Sequence, residues 1–198
     1  MCIRDRGISG IISAKLSAEK GLDTILIDDK SFLGGSTIYQ ENECYKINSV
    51  NSNKWLANEI ESLKNYPNLL IKNRTSLAAF HGYNYLLARE NLTDHLSINE
   101  KKGKVRQRLW KIRAKKVIIA SGSIERPLIF SNNDRPGIIL SSSIKKYIDY
   151  YGVKTGENIS LFTNNDSAYE TAISLYKSGV KGNVIGDLRK NSDSLIVK

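Results

Sequence analysis

Two glycines and two aspartates near the start of the chain have the types and spacing for nucleotide chemistry. Gly7-Ile8-Ser9-Gly10 opens an apolar stretch, Ile11 to Lys20, which Gly21 stops. A second apolar run, Thr24-Ile25-Leu26-Ile27, then ends in Asp28-Asp29. Glycines at a strand-to-helix turn let backbone amides approach a pyrophosphate, and a helix N-terminus favours its charge. An acid at the end of the next strand accepts hydrogen bonds from ribose hydroxyls. Asp28 follows Gly10 by 18 residues, close to the roughly 20 at which such an acid is met. In the dinucleotide pattern G-x-G-x-x-G, Gly7 and Gly10 take the second and third places, and the first falls on Asp5.

The elements that must position these groups read as an α/β fold. It is a Rossmann-like FAD/NAD(P)-binding fold with a small antiparallel β insertion and the start of a second Rossmann-like unit. The apolar strand expected before Gly7 is replaced by Met1 to Arg6, with charges at Arg4, Asp5 and Arg6. We read that strand as missing, its place taken by foreign residues at a truncated end; a divergent N-terminus is the alternative. After Asp29 comes a loop with Gly34-Gly35-Ser36, where the glycine pair lets the chain turn back over a nucleotide. Asn53 to Tyr66 has helical spacing and Pro67 ends it. A strand over Leu69 to Lys72 follows. Thr75 to Leu87 and Lys104 to Arg113 are expected as strands of the insertion (about 75–113), joined by a polar loop around Asn99 to Gly103. Val117 to Ala120 is a buried strand breaking at Ser121-Gly122, where small residues let the backbone pass close to a bulky group. Ser141 to Ser143 should cap a helix over Ile144 to Tyr151. Asn158 to Phe162, the Thr163-Asn164-Asn165-Asp166 turn, a helix over Ser167 to Lys177 and a strand from Val184 repeat the first unit without its glycines. That turn can cap its helix, but Asp166 would repel a phosphate. Residues 1–140 are the first dinucleotide-binding domain and 141–198 a partial second one.

Composition narrows the function classes. The chain has 198 residues, formal net charge +10 and only two cysteines, Cys2 and Cys44. That is too few for a disulfide framework or a zinc site, which points to a reducing cytoplasm. No secretory signal is expected, because no apolar run follows the first charges, and no apolar stretch is long enough to span a membrane. The cations are dispersed except over Lys101 to Lys116, where they alternate with Val105, Leu109, Trp110 and Ile112 as on a half-exposed strand, so no nucleic-acid partner is expected. Cys44 has no partner at CxxC spacing for disulfide reduction. His81 and His95 have no neighbouring metal ligand and read as ordinary polar side chains. No metal site and no catalytic residue are expected. Trp110 reads as a packing residue of the insertion.

Across the chain, Ile27-Asp28-Asp29, Gly34-Gly35-Ser36, Thr93-Asp94-His95-Leu96, Arg106-Gln107-Arg108-Leu109-Trp110, Ile124-Glu125-Arg126-Pro127-Leu128, Asn133-Asp134-Arg135-Pro136-Gly137 and Phe162 to Tyr169 together resemble the two-dinucleotide-binding-domain flavoproteins. Within them the resemblance is to the alpha subunits of heterotetrameric sarcosine oxidases. It implies NAD in this chain, and FAD and FMN in the complex, with FMN near the alpha–beta contact. It implies beta, gamma and delta partner subunits, and oxidative demethylation of sarcosine to glycine with peroxide and methylenetetrahydrofolate formation. The folate-binding domain of the family lies further along, outside this sequence, so the piece alone should be inactive. The alternatives are an FAD-dependent NAD(P)H oxidoreductase, a related opine or amine dehydrogenase subunit, and a non-catalytic module for an acidic partner.

The residue roles follow. Asp28 or Asp29 accepts the ribose hydroxyls, and a carboxylate there repels a 2′-phosphate, which favours NAD over NADP. Gly7, Ser9 and Gly10 line the pyrophosphate. Lys30 lies along the adenine or is merely solvated. Ser36, beside Gly35, donates to a phosphate or caps a turn. Leu77 matches the family position whose backbone meets the adenine, unless it is plain core. Gly122 lets the chain pass the ligand. Glu125-Arg126 reads as an internal ion pair or loop lock, with contact to a flavin phosphate as the functional alternative.

Overall fold

The computed structural model describes residues 2–4, 7–39 and 46–190; Cys44 lies outside the described residues. Contacts divide the chain into two compact units, one ending at Gly122 and one made mainly from Ser123 onward. In chain order the first holds β1 (Cys2–Arg4), α1 (Ile8–Glu19), β2 (Thr24–Ile27), the two-residue strands β3 (Lys46–Ile47) and β4 (Val50–Asn51), α2 (Ser52–Leu63) and β5 (Leu69–Lys72). It continues with β6 (Thr75–His81), β7 (Tyr85–Asn91), the short helix α3 (Ile98–Lys101), β8 (Gln107–Arg113) and β9 (Val117–Ile119).

The central sheet is parallel, in the order β5-β2-β1-β9. The first strand, expected to be missing, is there: Cys2 pairs with Ile25 and Val117, Ile3 with Leu26 and Ile118, Arg4 with Ile27 and Ile119. Ladder bonds join backbone groups, so the slot between β2 and β9 can be filled by a strand whose sequence is not apolar. The chain runs outward from β1 through β2 to β5 and returns as β9 on the far side of β1. That reversal is the switch point at which open α/β sheets bind ligands, outside their strand carboxyl ends.

β2 shows why its sequence is a continuous apolar run. Leu26 is fully buried among Ile11, Ala14, Leu33, Leu56 and Leu63, below α1 and α2. Ile27 points the other way, against Leu86, Ala88 and Ile112 of the insertion. Each such burial contributes about 1.5–3 kcal/mol, and a strand with both faces covered has no polar side. α1 starts three residues before the expected Ile11, because the Ile11 N–H already bonds the Gly7 carbonyl at 3.2 Å. Asn51 caps α2 by accepting from the N–H groups of Asn53 and Lys54. Lys15 and Glu59, 2.7 Å apart, join the two helices.

The insertion is a three-stranded antiparallel sheet, β6-β7-β8. The single strand expected over Thr75 to Leu87 is two, because Tyr83 and Asn84, with φ of 59° and 53°, turn the chain back. The expected polar loop contains α3, opened by a capping box in which the Ser97 N–H donates to Glu100 at 2.9 Å.

The second unit holds α4 (Ser141–Asp149), β10 (Asn158–Thr163), α5 (Ser167–Lys177) and β11 (Lys181–Asp187). β10 and β11 pair in parallel, and Ile144, Leu161, Leu175 and Val180 form the core. The serines expected to cap α4 lie inside its first turn. Glu125 does the capping, accepting from the Ser142 N–H at 2.7 Å, so it locks the loop as one reading anticipated. β11 starts three residues before the expected Val184. No described helix is long and apolar enough to cross a membrane.

Candidate functional site

Of the sequence-predicted nucleotide residues, Gly7, Ser9, Gly10, Asp28, Asp29, Lys30 and Gly122 follow the carboxyl ends of β1, β2 and β9 in the first unit's parallel sheet, Gly35 and Ser36 stand in the loop after β2, and Leu77 lies apart from that sheet, on β6 of the insertion. Gly7 is the N-cap of α1, with extended backbone and, among the described residues, no atom within 4 Å of where a Cβ would stand. Ser9 is exposed in the helix's first turn, and Gly10 is buried one residue further on. The first turn of α1 thus begins at a half-buried residue with no side chain and carries the exposed Ser9, and the unpaired amides of a helix start are suited to an anion. Parallel pairing of β1 and β2 places Asp28 on the same edge.

The two acids are not equivalent. Asp28 is 1% exposed, and its Oδ1 accepts from the Lys30 N–H at 2.8 Å. Three further backbone bonds fix this tip. The Asp28 N–H donates to the Lys72 carbonyl at 2.9 Å, the Thr75 N–H to the Asp28 carbonyl at 2.8 Å, and the Arg74 N–H to the Lys30 carbonyl at 2.7 Å. Asp29 is exposed. One carboxylate holds the turn and the next reaches solvent, where the sequence offered the two as interchangeable.

In the glycine pair, sequence reasoning chose Gly35 and passed over Gly34. Gly34 has φ +128°, and a Cβ there would lie 2.5 Å from Leu56 Cδ2 and 2.8 Å from Ile38. It closes the loop onto α2. Gly35 (φ 58°) opens a short 3₁₀ turn in which Ser36 is exposed. Leu77 packs its half-buried side chain against the cluster containing Ile27 and Leu86. Its backbone lies on the edge strand β6, paired with Ala88 of β7 on one side. Gly122 follows β9 with φ +66° and open space around it.

A neighbouring polar cluster was missed by sequence reasoning. Glu90 of β7 is 8% exposed. It accepts from Trp110 Nε1 at 2.7 Å, and Lys72 Nζ lies 3.4 Å away. Lys72 also stands over the Trp110 ring at 4.5 Å. Trp110 is therefore more than packing: it supplies a donor to a buried acid, which would otherwise be costly. The signal was an acid and an indole on adjacent strands, visible only once the register (Glu90 opposite Arg108, Ala88 opposite Trp110) is known.

The second unit's corresponding edge is filled by its own side chains. Asp187 ends β11, and its Oδ1 accepts from the Arg189 N–H at 2.9 Å. The Arg189 guanidinium lies 2.7 Å from Asp187 and 2.8 Å from Asp166 at the start of α5. Tyr169 donates its hydroxyl to Asp187 at 3.0 Å. The hydrogen-bonded guanidinium of Arg189 holds the Asp187 carboxyl well below the usual carboxylate range, and the bond to Asp187 raises the Tyr169 phenol. Asn165 caps α5 through the Ser167 N–H at 3.0 Å.

His81 is exposed, with its ring centroid 5.9 Å from that of Tyr85, and His95 is exposed in the loop after β7. Among the described residues no group of His, Cys, Asp or Glu could hold a metal ion.

No protein-family profile matches the chain. It is 34% identical over 185 residues to the sarcosine oxidase subunit alpha of Corynebacterium sp. (strain U-96), covering 93% of this chain and 19% of that protein. It is 31% identical over 183 residues to the subunit of the same name from Rhizobium meliloti (strain 1021), covering 92% of this chain and 18% of that one. The chain thus spans about a fifth of the length of these relatives, and the resemblance read from its motifs extends along nearly all of it. Among solved structures, the L-proline dehydrogenase of P. horikoshii superposes with a TM-score of 0.67 at 23% identity, over 98% of this chain and 36% of that one. The thioredoxin reductase of Lactococcus lactis superposes with 0.62 at 18%, over 99% and 59%. These two likenesses show the Rossmann-like fold.

Proposed function

We propose that the chain is the NAD-holding part of a sarcosine oxidase alpha subunit, within an oxidoreductase assembly that demethylates sarcosine to glycine. The observation that carries this reading is its likeness, over 93% of its length, to a curated subunit of that name. Peroxide and methylenetetrahydrofolate are the other products in this reading. FAD and FMN belong to the complex, the remaining subunits are beta, gamma and delta, and the setting is the cytoplasm. The folate-handling part would lie outside these 198 residues, so this piece alone turns over no substrate.

Within the chain, the pyrophosphate sits at the N-terminus of α1 over Gly7, Ser9 and Gly10. The Asp28-Asp29 tip receives the ribose. Lys30, Gly35, Ser36, the Leu77 backbone and Gly122 line the remainder. The support is physical: the amides of a helix start and an acid pair share one sheet edge at a switch point. A carboxylate at the ribose repels a 2′-phosphate, so NAD is preferred to NADP. NAD supplies a nicotinamide ring that can accept a hydride. The residues of this chain bind and orient it, and none is assigned a catalytic role.

The test is to purify the chain, denature it and identify the released nucleotide by mass. NAD near one per chain is expected, together with co-purification of a flavin-bearing subunit when the two are co-expressed. Stoichiometric FAD in the isolated chain would overturn the reading in favour of a free-standing flavin reductase.

A further inference from the structure

The outer face of the β6-β7-β8 sheet carries charge that nothing on the sheet balances. Strand alternation puts Leu86, Ala88, Trp110 and Ile112 on the inner face, where they are covered. The outer face of β7 and β8 is then Tyr85, Leu87, Arg89 and Asn91 against Arg113, Lys111, Leu109 and Gln107, in register. Arg89, Lys111 and Arg113 are all exposed, and Leu109 is 57% exposed. Each cation stands opposite an apolar or aromatic residue: Arg89 opposite Leu109, Lys111 opposite Leu87, Arg113 opposite Tyr85. On a sheet face that merely meets water, opposite-charge cross-strand pairs are the stabilising choice and clustered like charges are unfavourable. Here three cations share one face of two strands with no carboxylate among the eight paired positions. The acid at the rim, Asp94, is 2.7 Å from Arg106 and so is already engaged. Arg113 lies over the Tyr85 ring at 5.6 Å, which holds its guanidinium on this face.

Resting on the proposed multi-subunit reading, we infer that this face docks an acidic surface of another subunit of the same assembly. Arginine and tyrosine around an apolar centre match the composition of a protein interface. The alternation of cation and leucine calls for carboxylates spaced around an apolar patch. A single-stranded nucleic acid is less favoured on the strands themselves, because base stacking uses aromatic rings and the one aromatic residue among the eight paired positions, Tyr85, already has Arg113 over its ring at 5.6 Å. Size limits the role. Three strands about 4.8 Å apart and about 20 Å long offer a few hundred Å², short of the ~800 Å² per partner of a stable complex. The face is therefore one region of a larger contact, and its charge sets association rate and register more than lifetime.

The test uses the chain co-expressed with the other subunits of its assembly, and the triple variant Arg89→Glu/Lys111→Glu/Arg113→Glu. The wild type should co-purify with them. The triple variant should associate at least tenfold more slowly at low salt, with the difference shrinking at high salt, while its melting temperature and nucleotide content stay as in the wild type. Equal association of wild type and variant, with the complex intact, would overturn this inference and leave the proposed function standing. A wild-type chain that joins no other subunit would overturn both. A 20-nucleotide single-stranded RNA probe bound by the wild type and lost by the variant, with assembly unchanged, would assign the face to nucleic acid instead.

Discussion

The chain builds the same device twice, and the two copies differ in what occupies the working edge. In the first unit β1, α1 and β2 lead to Asp28; in the second β10, α5 and β11 lead to Asp187. Both aspartates end the second strand and accept the N–H of a cationic residue two positions on, Lys30 at 2.8 Å and Arg189 at 2.9 Å. The backbone solution is one and the same. The difference lies in the turn before the helix and in that cation. The first helix opens after Gly7, with open space among the described residues at its start. The second opens after Asn164-Asn165-Asp166, and Arg189 folds back to bridge Asp166 and Asp187. An internal ion pair at the second edge stands where a dinucleotide's ribose and phosphates would need to go. Shared topology therefore does not make shared function; the side chains at the edge decide it.

The largest expected effect separates a glycine needed for space from one needed only for its dihedral. Gly34→Ala meets Leu56 and Ile38 as well as an unfavourable φ, and should cost about 3 kcal/mol. Gly179→Ala, with φ +73° and nothing within 4 Å, should cost about 1 kcal/mol. Urea denaturation of the two variants measures the gap; equal losses would show that the loop after β2 has room the structure does not give it. Next comes the ribose. Asp28→Asn/Asp29→Asn should raise the Kd for NAD roughly 10- to 100-fold, from the loss of charge-assisted hydrogen bonds, and narrow the preference over NADP. Calorimetric titration of both nucleotides reads this, and unchanged affinities would remove the acids from the site. The single variants divide the effect: Asp29→Asn should leave stability intact, whereas Asp28→Asn should also loosen the turn that Asp28 holds.

How far the sequence could carry the argument follows from what each element depends on. β2, β5, α2 and α5 are local facts, written in apolar runs, caps and the proline after α2, and they sit where expected within a few residues. β1 was not legible because its existence depends on neighbours distant in sequence rather than on the types of Cys2, Ile3 and Arg4. The β6–β7 turn was missed because Tyr83 and Asn84 are not obligate left-handed residues. The acid pair was legible as a motif, but its division of labour was not, since the burial of Asp28 comes from bonds to Lys72 and Thr75 more than forty residues on. The Glu90–Trp110 bond was invisible for the same reason. It yields a smaller prediction on the first unit: Trp110→Phe keeps the ring but strips a donor from a buried carboxylate, and should cost about 1–2 kcal/mol. A melting-temperature drop below one degree would mean that the cations Lys72 and Arg108, 3.4 and 3.6 Å from its carboxylate, suffice for Glu90.

The last prediction probes the second unit's edge through pH. The Asp187 carboxyl is depressed below its unfolded range, chiefly by the Arg189 guanidinium and then by the Arg189 backbone N–H and Tyr169. A group whose folded pKa is lowered contributes stability that is fully present above the unfolded carboxylate pKa of about 4 and fades as pH falls below it. The wild type should therefore lose urea resistance between pH 5 and pH 2 through this site. Arg189→Gln, which keeps the backbone bond but removes the ion pair, should lose less over that interval while being somewhat less stable at pH 7. Asp166, the other partner of that guanidinium, stands at the start of α5. The variant should still bind no second equivalent of NAD, because Asp166 and the Asn164-Asn165 turn remain where glycines would be needed. Parallel pH dependences for wild type and variant would show that the ion pair is not held in solution, and the contrast between the two edges would then rest on the turn residues alone.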